Sequence, residues 1–132
     1  AATGDGYLLS ENTVFRNRLD QLEIELDALD WNQSLVLAAM ESGGSAGDAA
    51  SILKVVGSEL QQKLEELRLE AVAYYALPFD TRQLRSETNE TAYGADFSLR
   101  AVSDYNFGRA SPIYGGSNEI QRNVLAKSML GF

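Results

Sequence analysis

The sequence predicts an all-α fold, an up-down bundle of four helices, and three observations carry that reading. Apolar residues recur at three- and four-residue spacings through two long stretches, glycine and proline punctuate both, and the last stretch opens on a capping serine or asparagine. The first stripe comprises Phe15, Leu19, Leu22, Leu26, Leu29, Val36 and Met40. Ser10 or Asn12 can cap that helix, and Gly43, Gly44 and Gly47 stop it. The second opens at Asp48 and carries Leu53, Val56, Leu60, Leu64, Leu67, Ala71 and Tyr74 until Pro78 ends it. The two are expected to lie antiparallel. Glu59 with Lys63 and Glu65 with Arg68 stand at spacings that favour ion pairs on a solvated outer face. Beyond Pro78 the polar run TRQLRSETNETAYG reads as a connection of about ten or more residues. Residues 93–105 form a shorter third helix with Phe97 and Ala101 on one face, broken by NFGRASPIYGG. A fourth helix starts at Ser117 or Asn118, with Gln121 three residues past Asn118, and ends near Gly131. Glu119 in its first turn and Lys127 in its last both suit the helix dipole.

Length and composition narrow the chemistry. A chain of 132 residues accommodates one domain with a single modest core. It has no Cys and no His, which removes the common ligands of zinc, copper and haem, Cys-His and Ser-His catalysis, and thiol redox chemistry. Carboxylates or a borrowed cofactor remain. With 11 Lys and Arg against 19 Asp and Glu, the formal charge of -8 disfavours nucleic acid and anionic membrane surfaces as partners. The apolar runs are too short to span a bilayer, and the start AATGDGYLLSENT lacks the basic and continuous apolar regions of a signal peptide. A soluble intracellular chain is the expectation.

Most chemistry-bearing residues have a plain structural explanation. The run SILK at 51–54 matches the S-x-x-K of serine β-lactamases, and Ser103-Asp104-Tyr105 loosely resembles their second motif, but there is no K-T-G element and the chain is too short for that fold. Ser51 and Lys54 are read as solvated helix positions. Trp31, Tyr74 and Tyr75 lie on or beside the apolar stripes, so packing explains them. Asp20, Glu23, Glu25, Asp27 and Asp30 spread around the first helix as a solvated face, and no metal site is expected. The string GGSNE at 115–119 differs because its parts agree. Two glycines allow a ligand close to the backbone, and the helix that follows presents free N–H groups and a positive dipole end, suited to a phosphate, pyrophosphate or carbonyl oxygen.

Residues 113–132, with Tyr-Gly-Gly-Ser-Asn-Glu-Ile-Gln-Arg-Asn followed by Leu-Ala-Lys and Leu-Gly, closely resemble the C-terminal signature of acyl-CoA dehydrogenases. Ser51-Ile-Leu-Lys54, Ser58-Glu59-Leu60 and the LEELRLEA run resemble the second long helix of the same domain, and Asn17-Arg18-Leu19 onward the first. The resemblance implies an FAD flavoprotein, an oxidoreductase of lipid metabolism in which a carboxylate removes the α-proton of an acyl-CoA thioester while the β-hydrogen leaves as hydride. It implies residues 1–9 as a lead or linker and 10–132 as the C-terminal helical domain of a longer polypeptide, the N-terminal helical and middle β domains being absent. The isolated chain is expected to be inactive and to lose FAD. Acyl-CoA, an electron-transfer partner and homo- or hetero-oligomer contacts through the bundle are the implied partners. A bacterial cytoplasm, or the mitochondrial matrix in a eukaryote, is the implied location.

By that resemblance Tyr114 and Gly115 line the acyl side, Gly116 approaches the thioester, and Ser117, Asn118 and Glu119 sit against FAD. Gly115 occupies the position of the base in some family members, so no catalytic carboxylate is expected here, and a Glu119 at a helix start is expected to stay ionised as a flavin contact. Residues 82–96 lack the Gln-x-x-Gly-Gly motif of many members, and the shortened region resembles bacterial members acting on bulky, steroid-derived acyl groups, some of them heteromeric. The contrasting expectation is a non-catalytic helical assembly module, or the supporting subunit of a heteromeric dehydrogenase.

Overall fold

The computed structural model describes residues 8–91, 93–94 and 96–131, so most of the expected 1–9 lead lies outside the described residues. Helix α1 spans Thr13–Glu41, and Asn12 is its cap: the side chain accepts from the N–H groups of Val14 and Phe15 at 3.0 and 3.1 Å. Its end is a glycine stop, because Gly43 takes a φ of +86° and the N–H of Gly44 donates back to the Ala39 carbonyl at 2.9 Å. Helix α2 spans Gly47–Val72. Arg18 of α1 pairs with Glu70 of α2, and Glu25 with Lys63 at 2.6 Å, which fixes the two helices as antiparallel.

Pro78 is not what ends α2. The α-helix gives way at Ala73, whose φ is +51°, and a 3-10 turn over Ala73–Ala76 brings Tyr75 onto Gly94, where any Cβ would lie 2.7 Å from the Tyr75 ring. The polar connection holds one helical turn, α3 at Thr81–Leu84, capped by Asp80 on the N–H of Arg82 at 2.9 Å.

The third expected helix starts later and runs further than the sequence suggests. A 3-10 turn at Asp96–Ser98 precedes α4, which spans Ala101–Gly108. Arg68 of α2 donates to the Phe97 carbonyl at 2.9 Å and to Asp104 at 2.6 Å, holding the approach as a turn and the helix start against α2. Gly108 does not break this helix. It is buried, with Glu65 and Gln61 of α2 within 3.8 Å of where a Cβ would stand, so its smallness permits close packing. Helix α5 spans Asn118–Leu130 and closes on Gly131 at a φ of +75°, as expected.

Helices α1, α4 and α5 each pack chiefly on α2. Helix α2 is therefore buried on two opposite faces, since 3.6 residues per turn place Ser51, Val55 and Ser58 across from Leu60 and Leu67. The apolar stripe in the sequence marks only the Leu60 and Leu67 face. Leu64 and Tyr74, expected on it, are exposed, Tyr74 because it falls in the 3-10 turn beyond α2. The apolar core comprises Val55, Leu60, Leu67, Val72 and Ala101, and α1 contributes no buried residue. Two charges of α2 pair across helices instead of along it: Glu59 bonds Arg122 of α5, and Lys63 bonds Glu25. Arg68 does both, contacting Glu65 at 3.6 Å and Asp104 at 2.6 Å. Among the described residues no helix is long and apolar enough to cross a membrane.

Candidate functional site

The loop between α4 and α5 follows from its residues. Pro112 has no N–H to pair, and the Asn118 N–H reaches back to the Pro112 carbonyl at 2.9 Å, closing loop 112–118 on itself. Inside it Gly115 and Gly116 take φ values of +69° and +88°, a left-handed backbone that side chains with a Cβ rarely adopt. A Cβ on Gly115 would meet nothing within 4 Å, whereas one on Gly116 would lie 2.6 Å from the Gln121 amide nitrogen. Room at the turn is therefore on the Gly115 side.

Helix α2 supports this loop through polar side chains on its Ser51 face. Lys54 Nζ donates to the Pro112 carbonyl at 3.0 Å and to Asn118 Oδ1 at 2.7 Å, and Ser58 donates to the same Asn118 oxygen at 3.1 Å. Ser51 donates to Gln121 Oε1 at 2.7 Å, and the Gln121 amide in turn donates to the Gly115 carbonyl at 3.4 Å. Ser51 and Lys54 are thus not the solvated positions that the sequence suggests. Ser51 is buried and Lys54 half-buried because α5 and its loop cover this face. These residues escaped the sequence reading, although a signal was there: Ser51, Lys54 and Ser58 recur at i, i+3 and i+7, a polar stripe along one helix face.

The expected site residues divide by orientation. Tyr114 and Gly115 are exposed and share the wall of a shallow open groove of about 390 Å³ with Leu53, Lys54, Ser58 and Ser111. Gly116 is exposed beside them, and Ser117 caps α5 by accepting from the Ile120 N–H. Asn118 points inward, 3% exposed, with its amide oxygen held by Lys54 and Ser58. Glu119 is exposed, and its carboxyl is held below the ordinary 4.5 by its own backbone N–H, the Ser117 hydroxyl, and the charges of Arg122 and Lys54. It stays ionised, and the same interactions lower its proton affinity.

The helix start does not present the free donors expected of it. Asn118 N–H is taken by Pro112, Ile120 N–H by Ser117 Oγ and Gln121 N–H by the Ser117 carbonyl. With those three amides taken, an ionised Glu119 at the helix start repels a phosphate. Among the described residues the N–H groups of Gly115, Gly116 and Ser117 carry no hydrogen bond, and a short row of neutral donors suits a carbonyl oxygen.

Elsewhere the tally is structural. Asp20 pairs with Arg16 at 2.9 Å and Glu25 with Lys63, and no acidic cluster able to hold a metal occurs among the described residues. Trp31 is 72% exposed and Tyr74 is also exposed, so neither packs as expected, because among the described residues no element covers that side of α1 or the end of α2.

A family model described as "Acyl-CoA dehydrogenase, C-terminal domain" matches residues 2–130. The chain belongs to the acyl-CoA dehydrogenase family, as its C-terminal domain. This acyl-CoA dehydrogenase domain is 67% identical over 27 residues to the acyl-CoA dehydrogenase IpdE1 of Mycolicibacterium smegmatis, a stretch covering 20% of this chain and 7% of that protein. No solved structure matches the chain. The family is one of oxidoreductases that generally use FAD. The neutral N–H groups beside Gly115 are chemically compatible with a carbonyl oxygen of such a group, and the ionised Glu119 is not compatible with its pyrophosphate.

Proposed function

We propose that this domain forms the acyl-facing wall of an FAD-dependent acyl-CoA dehydrogenase that introduces an α,β double bond into acyl-CoA thioesters. The observation that carries this is the turn at Gly115 and Gly116, left-handed, open on the Gly115 side, and edged by N–H groups without a partner. Tyr114 and Gly115 bound the acyl chain, and Gly116 lets the thioester approach the backbone. Ser117 and Glu119 face the flavin at the start of α5, with Asn118 fixing their place from within. Bound FAD supplies the two-electron acceptor for the reaction. This chain's residues contribute binding, orientation and exclusion of water, because Gly115 cannot take a proton and Glu119 is held ionised as a weakened base.

The proton acceptor therefore belongs to a carboxylate outside residues 113–119, and the domain by itself is inactive. Open space at Gly115 accords with a bulky acyl group. The exposed apolar residues of α1, among them Ile24, Trp31 and Leu35, accord with contacts to other domains, sister subunits or a supporting role in a heteromer.

Gly115→Ala and Gly116→Ala in the full-length parent test the reading. Lost turnover on acyl-CoA by variants that remain folded and retain flavin absorbance supports it. Unchanged flavin content and turnover in both variants would leave GGSNE as a turn and cap on a scaffold.

A further inference from the structure

Lys54 and Ser51 belong to the S-x-x-K run that no chemistry above absorbs, yet their side chains converge on the loop that carries the site. The Lys54 ammonium bonds the carbonyl of Pro112 and the side-chain oxygen of Asn118, the two ends of loop 112–118. Those ends are also joined directly by the Asn118 N–H. One cation thus closes a triangle at the base of the loop, while Ser51 and Gln121 reach its tip at the Gly115 carbonyl.

Resting on the function proposed above, we infer that Lys54 is a positioning residue for acyl-CoA dehydrogenation, acting through Pro112 and Asn118 to hold Gly115 and Gly116 in place against the thioester. The need for such a hold follows from the glycines themselves. Two adjacent residues without Cβ form the most permissive backbone in the loop, so its tip keeps one position only if its base is fixed. Ammonium bonds to a carbonyl and an amide oxygen are charge-assisted and strong for their size. Each acceptor would otherwise be left half-satisfied in a partly covered site. A displacement of about 1 Å of a positioning group is enough to cost roughly 100-fold in rate, which makes turnover a sensitive reporter of the loop's place.

The experiment is Lys54→Met in the full-length parent, with Lys63→Met on the same helix as control. Lys63 is also paired, but to Glu25 on the α1 side, away from the loop. Expected for Lys54→Met are retained flavin, a melting temperature close to the control's, and kcat/KM for acyl-CoA down at least tenfold from the control's. Hydrogen exchange in the peptide covering 112–118 should quicken, and Lys54→Arg should recover at least a third of the lost kcat/KM. A kcat/KM within twofold of the control, or a loss without faster exchange at 112–118, overturns the inference. Should Lys54→Met be insoluble, Lys54→Gln is judged by the same criteria, and insolubility of both assigns Lys54 to global stability and also overturns it. Failure here is distinct from failure of the proposed function. In the latter the Gly115 and Gly116 variants are silent, whereas in the former they abolish turnover and Lys54→Met does not.

Discussion

The two sides of α2 are held in opposite ways. Towards α5 and loop 112–118, small polar residues are buried and bonded: Ser51, Ser58 and Asn118 are all enclosed, with Lys54 between them. Towards α1, contact rests on Leu60 and Leu67 with ion pairs at the margin, and many apolar side chains of α1 face outward. Directional bonds fix position to tenths of an ångström, whereas apolar contact and exposed ion pairs tolerate sliding. The side that carries the site is the side that specifies geometry.

Substitutions can break or sharpen that contrast, from the largest effect down. Leu67→Ala removes a buried side chain on the α1 side and should cost about 2–4 kcal/mol in urea unfolding. A value near zero would mean that α1 is not held by apolar burial at all. Gly116→Ala should cost about 1–3 kcal/mol, and more than Gly115→Ala, since both positions are left-handed but only Gly116 would also press on Gln121. Equal losses from the two would show that the Gln121 contact carries no weight. Ser58→Ala should cost about 1 kcal/mol, because Asn118 keeps Lys54 as a donor.

Glu25→Gln should cost under about 1 kcal/mol, since the pair with Lys63 lies at the surface and is only partly covered. Its pH dependence has a definite sign. Hydrogen bonds from Lys63 and Gln21 lower the Glu25 pKa on folding, so its contribution is present above 4.5 and is lost as pH falls through the lowered folded value. A Glu25→Gln difference that grows below pH 4.5 would contradict this. Trp31→Glu should change stability by less than about 0.5 kcal/mol while shifting sedimentation towards smaller species. A large loss of stability there would erase the contrast between the two sides of α2.

Much of the fold was legible in local sequence. The Asn12 cap, the glycine stop after α1, the Ser117 start and Gly131 end of α5 are all decided within a few residues of the chain. The end of α2 was not, because Ala73 turns left-handed without a glycine or proline to announce it. Nor was α4, whose start depends on Arg68 more than thirty residues earlier. At the site, the left-handed turn could be read directly, since two consecutive glycines are its signature. The expected free amides of α5 did not all survive closure of the loop, which consumed Asn118 N–H, and the Ser117 cap, which took Ile120 N–H.

The sequence by itself determined helices α1 and α5 with their caps, the glycine turn and the family, because each depends on short-range geometry or on a contiguous string. Only the tertiary structure decided which faces of α2 are covered, where Lys54 donates, and which amides at the turn stay free. Those outcomes join residues 58 to 70 positions apart. No local rule encodes such pairings, because a hydrogen bond at that separation exists only once helix packing has brought donor and acceptor within about 3 Å.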